Sequence, residues 1–221
     1  MRGLFITFEG IEGSGKTTQR ALLASRLRLK GYTVSTTREP GGTVMGDKIR
    51  QLLLDVRHTD LLPKAELLLY LAGRSQHLHT IIRPQLAAGV ILLCDRFSDA
   101  TTAYQGFGRR LMSSEFKRIV RYAAEGLQPD VTILLDLDPH TALDRVSGRG
   151  ATNRLDRETL AFHTRVRRGY RALASRFPRR IKIVNARPAP DVVAAEIERL
   201  IMPRLRRFLP RRRPRQSIPT G

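Results

Sequence analysis

Apolar and polar positions alternate between two spacings along this chain. Leu4-Phe5-Ile6-Thr7-Phe8 is a short apolar, β-rich run, and Tyr32–Thr37, Val90–Cys94, Val131–Leu137 and Ile181–Val184 repeat the pattern. Between them lie longer stretches with helical spacing: Thr18–Lys30, Val44–Leu54, Ala65–Ala88 behind Pro63, Ser113–Glu125, a helix starting at Pro139–Val146, Arg157–Arg176 and Asp191–Phe208. Ser113 and Ser114 are N-cap candidates, and Gly126 is a stop. Near-continuous apolar strands that alternate with helices predict an α/β domain, a five-stranded parallel sheet covered by helices on both faces.

Such sheets bind ligands beyond the carboxyl ends of their strands. The polar residues that follow each strand are therefore the first site candidates: Glu9, Arg38-Glu39, Asp95-Arg96, and Asp136 with Asp138. Behind the first strand, residues 10–17 read Gly-Ile-Glu-Gly-Ser-Gly-Lys-Thr. This is the phosphate-loop pattern of Gly, four free positions and Gly-Lys-[Ser/Thr], placed between a strand and a helix as the pattern requires. Gly10, Gly13 and Gly15 let backbone N–H groups close around phosphate oxygens, and Ser14 and Thr18 complete the loop. Lys16 brings a mobile charge to the outer phosphates, and the Thr17 hydroxyl is a Mg²⁺ ligand. Asp95 ends an apolar strand, as a Mg²⁺-site carboxylate should, acting partly through water. Asp136 competes for that role but reads better as a local cap.

The net charge of +20, from 40 basic and 20 acidic residues, changes the picture only by demanding anionic partners. Part of the excess is local. Residues 204–215 hold seven arginines and no acid, interrupted by Pro210 and Pro214. The domain is accordingly expected to span 1–202, with 203–221 a basic, Arg/Pro-rich disordered tail. The tail reads first as solvated chain and second as a nucleic-acid contact. Apolar runs are too short for a membrane span, and residues 1–10 lack the pattern of a signal peptide. The single cysteine, Cys94, reads as a core residue and fits a reducing cytoplasm. The histidines show no metal-ligand spacing.

Three further segments narrow the reading: Thr-Arg-Glu-Pro-Gly-Gly-Thr at 37–43, Asp-Arg-Phe-Ser-Asp-Ala-Thr-Thr-Ala-Tyr-Gln-Gly at 95–106, and a Gly- and Arg-rich stretch at 144–157. In this order the chain resembles bacterial thymidylate kinases from roughly Gly3 to Met202. That resemblance implies a P-loop fold, transfer of the γ-phosphoryl group of ATP to dTMP with Mg²⁺, and a homodimer formed through helices. It implies Arg96, Arg50 and Arg38 at the acceptor phosphate, and Glu9 near the acceptor sugar and the metal. Tyr70 would stack on the base, Arg74 would reach its carbonyl, and Thr101 and Gln105 would face its N3–H edge, with Tyr104 under the deoxyribose. Two departures stand out. Tyr70 replaces the usual Phe, and Ala100 replaces the usual Ser. The family places its transition-state arginine either in the phosphate loop or in a lid. Glu12 stands at the loop position here, so the lid at 147–156, with Arg149 and Arg154, is expected to supply it. Asn185–Pro188 would lie near the adenine. Two alternatives stay open: a kinase of another nucleoside monophosphate on the same scaffold, and a nucleic-acid-binding P-loop NTPase.

Overall fold

The apolar runs pair into one parallel sheet. The computed structural model describes residues 2–148 and 153–205. Among these, β1 (Phe5–Glu9), β2 (Val34–Arg38), β3 (Ile91–Asp95), β4 (Val131–Asp136) and β5 (Ile181–Asn185) lie in the order β2-β3-β1-β4-β5. Strand β1 is central. Its alternation sends Leu4, Ile6 and Phe8 into a core shared with Leu23 and Leu27 of α1 (Lys16–Leu29) and Ile197 and Ile201 of α9 (Pro190–Leu205). Phe5 points to the other face, against Leu78, Ile82 and Cys94. Both faces are thus covered, and Cys94 is a core residue as expected.

The register brings the carboxyl ends level: Phe8 pairs with Asp95, and Arg38 with Asp95 from the opposite side. Glu9, Arg38, Asp95 and the residues after them therefore meet at one edge of the sheet, where the order reverses around β1.

Helix α2 (Val44–Leu54) matches its expected bounds, capped by Thr43, whose hydroxyl accepts from Gly46 N–H. The long helix expected at 65–88 is in three parts. Helix α3 (Pro63–His77) runs into a π turn at Leu78–Ile82 and then α4 (Arg83–Ala87). Pro84 has no N–H to donate, and the widened turn, with Arg83 N–H on the Leu78 carbonyl, accommodates its ring. Residues 98–108, which lack an apolar stripe, are helical all the same: α5 (Ser98–Thr101) continues as a π turn over Thr102–Gly108. Helix α6 (Ser114–Ala123) is capped by Ser113, and α7 (Pro139–Ser147) by Asp138. Helix α8 (Leu160–Arg176) starts three residues later than its pattern suggests, because the Thr159 hydroxyl caps it. Helix α9 is described as far as Leu205, which is fully buried. The helix therefore includes Pro203, Arg204 and Leu205, which stand in the expected tail; 206–221, the rest of it, lie outside the described residues.

Candidate active site

The carboxyl edge of the sheet opens into a cleft of about 430 Å³. One wall is the phosphate loop. Gly13 has φ +75, and a Cβ there would lie 2.2 Å from the Ala142 carbonyl oxygen, so no other residue fits the turn. Gly10, Ser14 and Gly15 continue the loop, while Thr18 is already exposed on α1. Lys16 curls back over the loop, donating to the Gly10 and Ile11 carbonyls at 3.0 and 2.8 Å. Burial, then the charge of Arg96, lowers its ammonium to about 8.

Thr17 Oγ1 donates to Asp95 Oδ2 at 2.8 Å. A hydroxyl and a carboxylate side by side at the loop form an all-oxygen donor pair of the kind a hard divalent ion takes. Asp136 and Asp138 are elsewhere. Asp136 accepts two bonds from Arg167, at 2.7 and 2.9 Å, and Asp138 caps α7. Asp136 is therefore an ion-pair partner, a different structural role from the cap expected of it.

The opposite wall carries Arg38, Arg50, Tyr70, Arg74, Arg96, Thr101, Tyr104 and Gln105, so the four expected base-reading residues converge on one cleft together with the three phosphate arginines. Arg38 is anchored by Asp47 at 3.0 Å and Arg50 by the Pro40 carbonyl at 3.0 Å. Arg96 is the hub. At φ 71 it occupies left-handed backbone space, which non-glycine residues seldom adopt. Its guanidinium bonds Glu12 Oε1 at 2.6 Å, the Gly10 carbonyl at 3.1 Å, and the hydroxyls of Tyr104 and Tyr170 at 3.1 and 3.2 Å. The Tyr104 hydroxyl donates to the other oxygen of Glu12. Burial raises the Glu12 carboxyl, but Arg96 and then Lys16 outweigh it and hold the group below the ordinary range. Glu12 is thus more than an absent arginine, since it ties the loop to the acceptor wall.

Glu9 is fully buried, accepting from Phe97 N–H at 2.8 Å and the Tyr170 hydroxyl at 2.7 Å. Burial first, and Asp99 second, push its carboxyl up to about 8, against Arg96. The unfolded chain ionises this group near 4.5, so between about 4.5 and 8 the folded state holds the extra proton and stability falls as pH rises. Glu9→Gln should flatten that slope. Melting temperatures collected from about pH 5 to 8.5 check it, and parallel slopes in the two proteins would mean that Glu9 is already ionised when folded.

Of the two arginines expected in the lid, Arg154 is not brought over the loop. Arg149 lies outside the described residues. Arg154 turns to the far side, donating to the Leu53 carbonyl at 3.0 Å and to Glu66 Oε2 at 2.5 Å. The physical reason is Glu66, a fully buried carboxylate that also takes Arg109 and the Gln105 amide. Arg145 holds the expected adenine loop, donating to the Ala186 and Arg187 carbonyls. Sequence reasoning did not single out Tyr170, Glu66 or His77. Only His77 carried a signal, its spacing of three from Arg74 on one helix.

Among the described residues no helix is long and apolar enough to cross a membrane. A family model described as thymidylate kinase matches residues 8–197. A thymidylate kinase of Solidesulfovibrio magneticus is 47% identical over 201 residues, covering 88% of this chain and 96% of its own. One from Synechococcus sp. (strain JA-3-3Ab) is 49% identical over 209 residues, covering 94% and 100%. The crystal structure of thymidylate kinase from Ehrlichia chaffeensis superposes with a TM-score of 0.74 at 33% identity, covering 91% of this chain and 99% of that one.

Proposed function

The chain belongs to the thymidylate kinase family, and from that premise we propose that its cleft transfers the γ-phosphoryl group of ATP to dTMP, giving ADP and dTDP. One observation carries the reading. The cleft has a phosphate loop on one wall and, on the other, Arg74 with a buried Nη1 that finds no acceptor among the described residues. A buried donor without a partner costs about 1–3 kcal/mol, and the 4-carbonyl of thymine supplies the acceptor. Tyr70 stacks on the base, Thr101 and Gln105 meet its N3–H edge, and Tyr104 lies under the deoxyribose.

The loop Gly10–Thr18 binds the ATP phosphates, and Arg38, Arg50 and Arg96 hold the dTMP phosphate. Glu9, fully buried beneath the cleft, supports it by holding Phe97 N–H and the Tyr170 hydroxyl. In the reaction an oxygen of the dTMP phosphate attacks the γ-phosphorus while its bond to the bridging oxygen of ADP breaks, so no covalent enzyme intermediate is needed. Lys16 and Arg96 neutralise the charge that spreads over the transferring group. Arg149 and Arg154, the arginines expected of segment 147–156, would add to it, and Arg154 would have to exchange Glu66 for a phosphoryl oxygen. Thr17 and Asp95 would hold Mg²⁺, which would supply positive charge to neutralise the phosphates. The kinase domain includes α9 as far as it is described, and the Arg/Pro-rich basic segment follows it in the sequence. Exposed Leu68 on α3 and Ile119 and Tyr122 on α6 support a homodimer through these helices. We place the protein in the cytoplasm, where its lone buried thiol stays reduced.

A coupled ADP-release assay across nucleoside monophosphates tests this reading. dTMP should be the best acceptor, and a better purine or cytosine acceptor would refute the assignment. Ala100 lines the cleft where the family usually has Ser. Ala100→Ser should therefore move the dTMP KM by no more than severalfold, the worth of about one hydrogen bond.

A further inference from the structure

Arg74 does not hold its own position. Arg74 and His77 are three apart on α3, so their side chains leave the same face of the helix. They grip the two oxygens of one carboxylate. Arg74 Nε and Nη2 each lie 2.8 Å from Glu39 Oε2, and His77 Nδ1 lies 3.0 Å from Oε1. The other ring nitrogen of His77 is 2.6 Å from Thr37 Oγ1. The four residues form a closed chain of buried polar groups, with His77 fully enclosed and Arg74 2% exposed. The Arg74 guanidinium also lies over the Phe97 ring, 5.1 Å from its centroid. One edge and one face of the guanidinium are therefore fixed; Arg74 lines the cleft, and its buried Nη1 has no partner among the described residues.

A carboxylate held through one oxygen can turn about its last carbon–carbon bond. One held through both cannot. Without the His77 contact, Glu39 Oε1 would be buried with nothing to accept from, and the carboxylate would turn to find a donor, carrying Arg74 with it. The space around the imidazole is tight as well, since a Cβ at Gly42 would lie 2.9 Å from His77 Nε2.

We propose that His77 is a positioning residue for base recognition: by clamping Glu39 it fixes the plane of the Arg74 guanidinium, so that Nη1 meets a carbonyl and rejects an amino group at the 4-position of a pyrimidine acceptor. The proposal rests on the acceptor-site reading above. It requires hydrogen on Nδ1, because an ionised carboxylate only accepts. Burial raises the Glu39 carboxyl, but Arg74 and then His77 outweigh it and keep Glu39 below the ordinary range.

Two substitutions separate this role from simple packing. His77→Asn keeps an amide donor near the place of Nδ1, facing Glu39. His77→Gln keeps one near Nε2, facing Thr37, and gives up Glu39. The measurement is the ratio of calorimetric affinities for dTMP and 5-methyl-dCMP, which differ at the 4-position, carbonyl against amino, and at N3, which carries hydrogen only in thymine; the N3 difference is common to all three proteins and cancels when their ratios are compared. The unmodified enzyme and His77→Asn should keep the same preference within about threefold. His77→Gln should lose at least about tenfold of it, with KM for ATP unchanged within about twofold. An unmoved ratio in His77→Gln, or an equal loss in both variants, overturns the proposal. The unmodified protein provides a second test that does not depend on either variant folding. With ¹⁵N-labelled histidine, the Nδ1 of His77 should show the shift of a protonated ring nitrogen, and an unprotonated Nδ1 overturns the proposal. A failure of the acceptor reading itself would appear separately, as an unmodified enzyme that does not prefer dTMP.

Discussion

Lys16→Met should lower kcat by about 10³-fold, roughly 4 kcal/mol of transition-state stabilisation, while leaving the affinity for dTMP within about twofold. Methionine fills the same volume without the charge. In the structure Nζ is held on the Gly10 and Ile11 carbonyls, contacts it can exchange for phosphate oxygens with little displacement of the backbone. Its ammonium sits at about 8 because it is buried and because Arg96 stands nearby. An anionic donor phosphate reverses that penalty, so the charge is stabilised only when nucleotide is present. That is the condition for an interaction stronger in the transition state than in the empty enzyme. Single-turnover ADP release and calorimetric dTMP binding check both halves. A fall in kcat of less than about tenfold would move the neutralising charge away from Lys16.

The arrangement around that lysine was partly legible in the chain. The strand–loop–helix order and the phosphate-loop spacing place Lys16, Thr17 and Asp95 without any tertiary information, because local backbone demands and strand ends decide those positions. The helix over residues 98–108 was invisible. Its sequence is polar with a pair of β-branched threonines, and its helicity comes from packing against α8 and from buried Thr101, Tyr104 and Gln105, a tertiary override of weak propensity. Of the arginines expected at the acceptor phosphate, Arg38 and Arg96 stand at strand ends, whereas Arg50, inside α2, was recognisable only through the family resemblance. Their counter-charges were not recognisable. Glu66 and Tyr170 sit at ordinary helix positions, and only the fold brings Glu66 to Gln105 and Arg154, or Tyr170 to Glu9 and Arg96. The same limit explains Arg154. Spacing shows that an arginine lies in the lid, whereas the buried carboxylate that holds it is 88 residues away in the chain.

Arg96→Ala should remove activity and stability together, and a second substitution should separate them. The guanidinium touches Glu12, the Gly10 carbonyl, Tyr104 and Tyr170, and lies 4.7 Å from the centroid of the Tyr104 ring. Truncation takes a bidentate-capable cation from the acceptor phosphate, so kcat/KM for dTMP should fall by about 10³-fold or more. It also strands Glu12, a nearly enclosed carboxylate, without its main counter-charge. Breaking such a pair from one side costs roughly 3–5 kcal/mol, which for a chain of this size is about 10 °C in Tm. Adding Glu12→Gln removes the stranded charge. The double variant should recover most of the lost melting temperature and none of the lost kcat/KM. Arg96→Lys should rescue little, because an ammonium cannot hold two phosphate oxygens and bridge to Glu12 in one plane. Recovery of kcat/KM in the double variant would show that Arg96 acts only by holding the loop and does not touch the acceptor phosphate. Unchanged Tm in Arg96→Ala would show that the Tyr104 hydroxyl, which already donates to Glu12, suffices together with a new donor, the nearest being His163, whose Nδ1 stands 3.8 Å from the carboxylate.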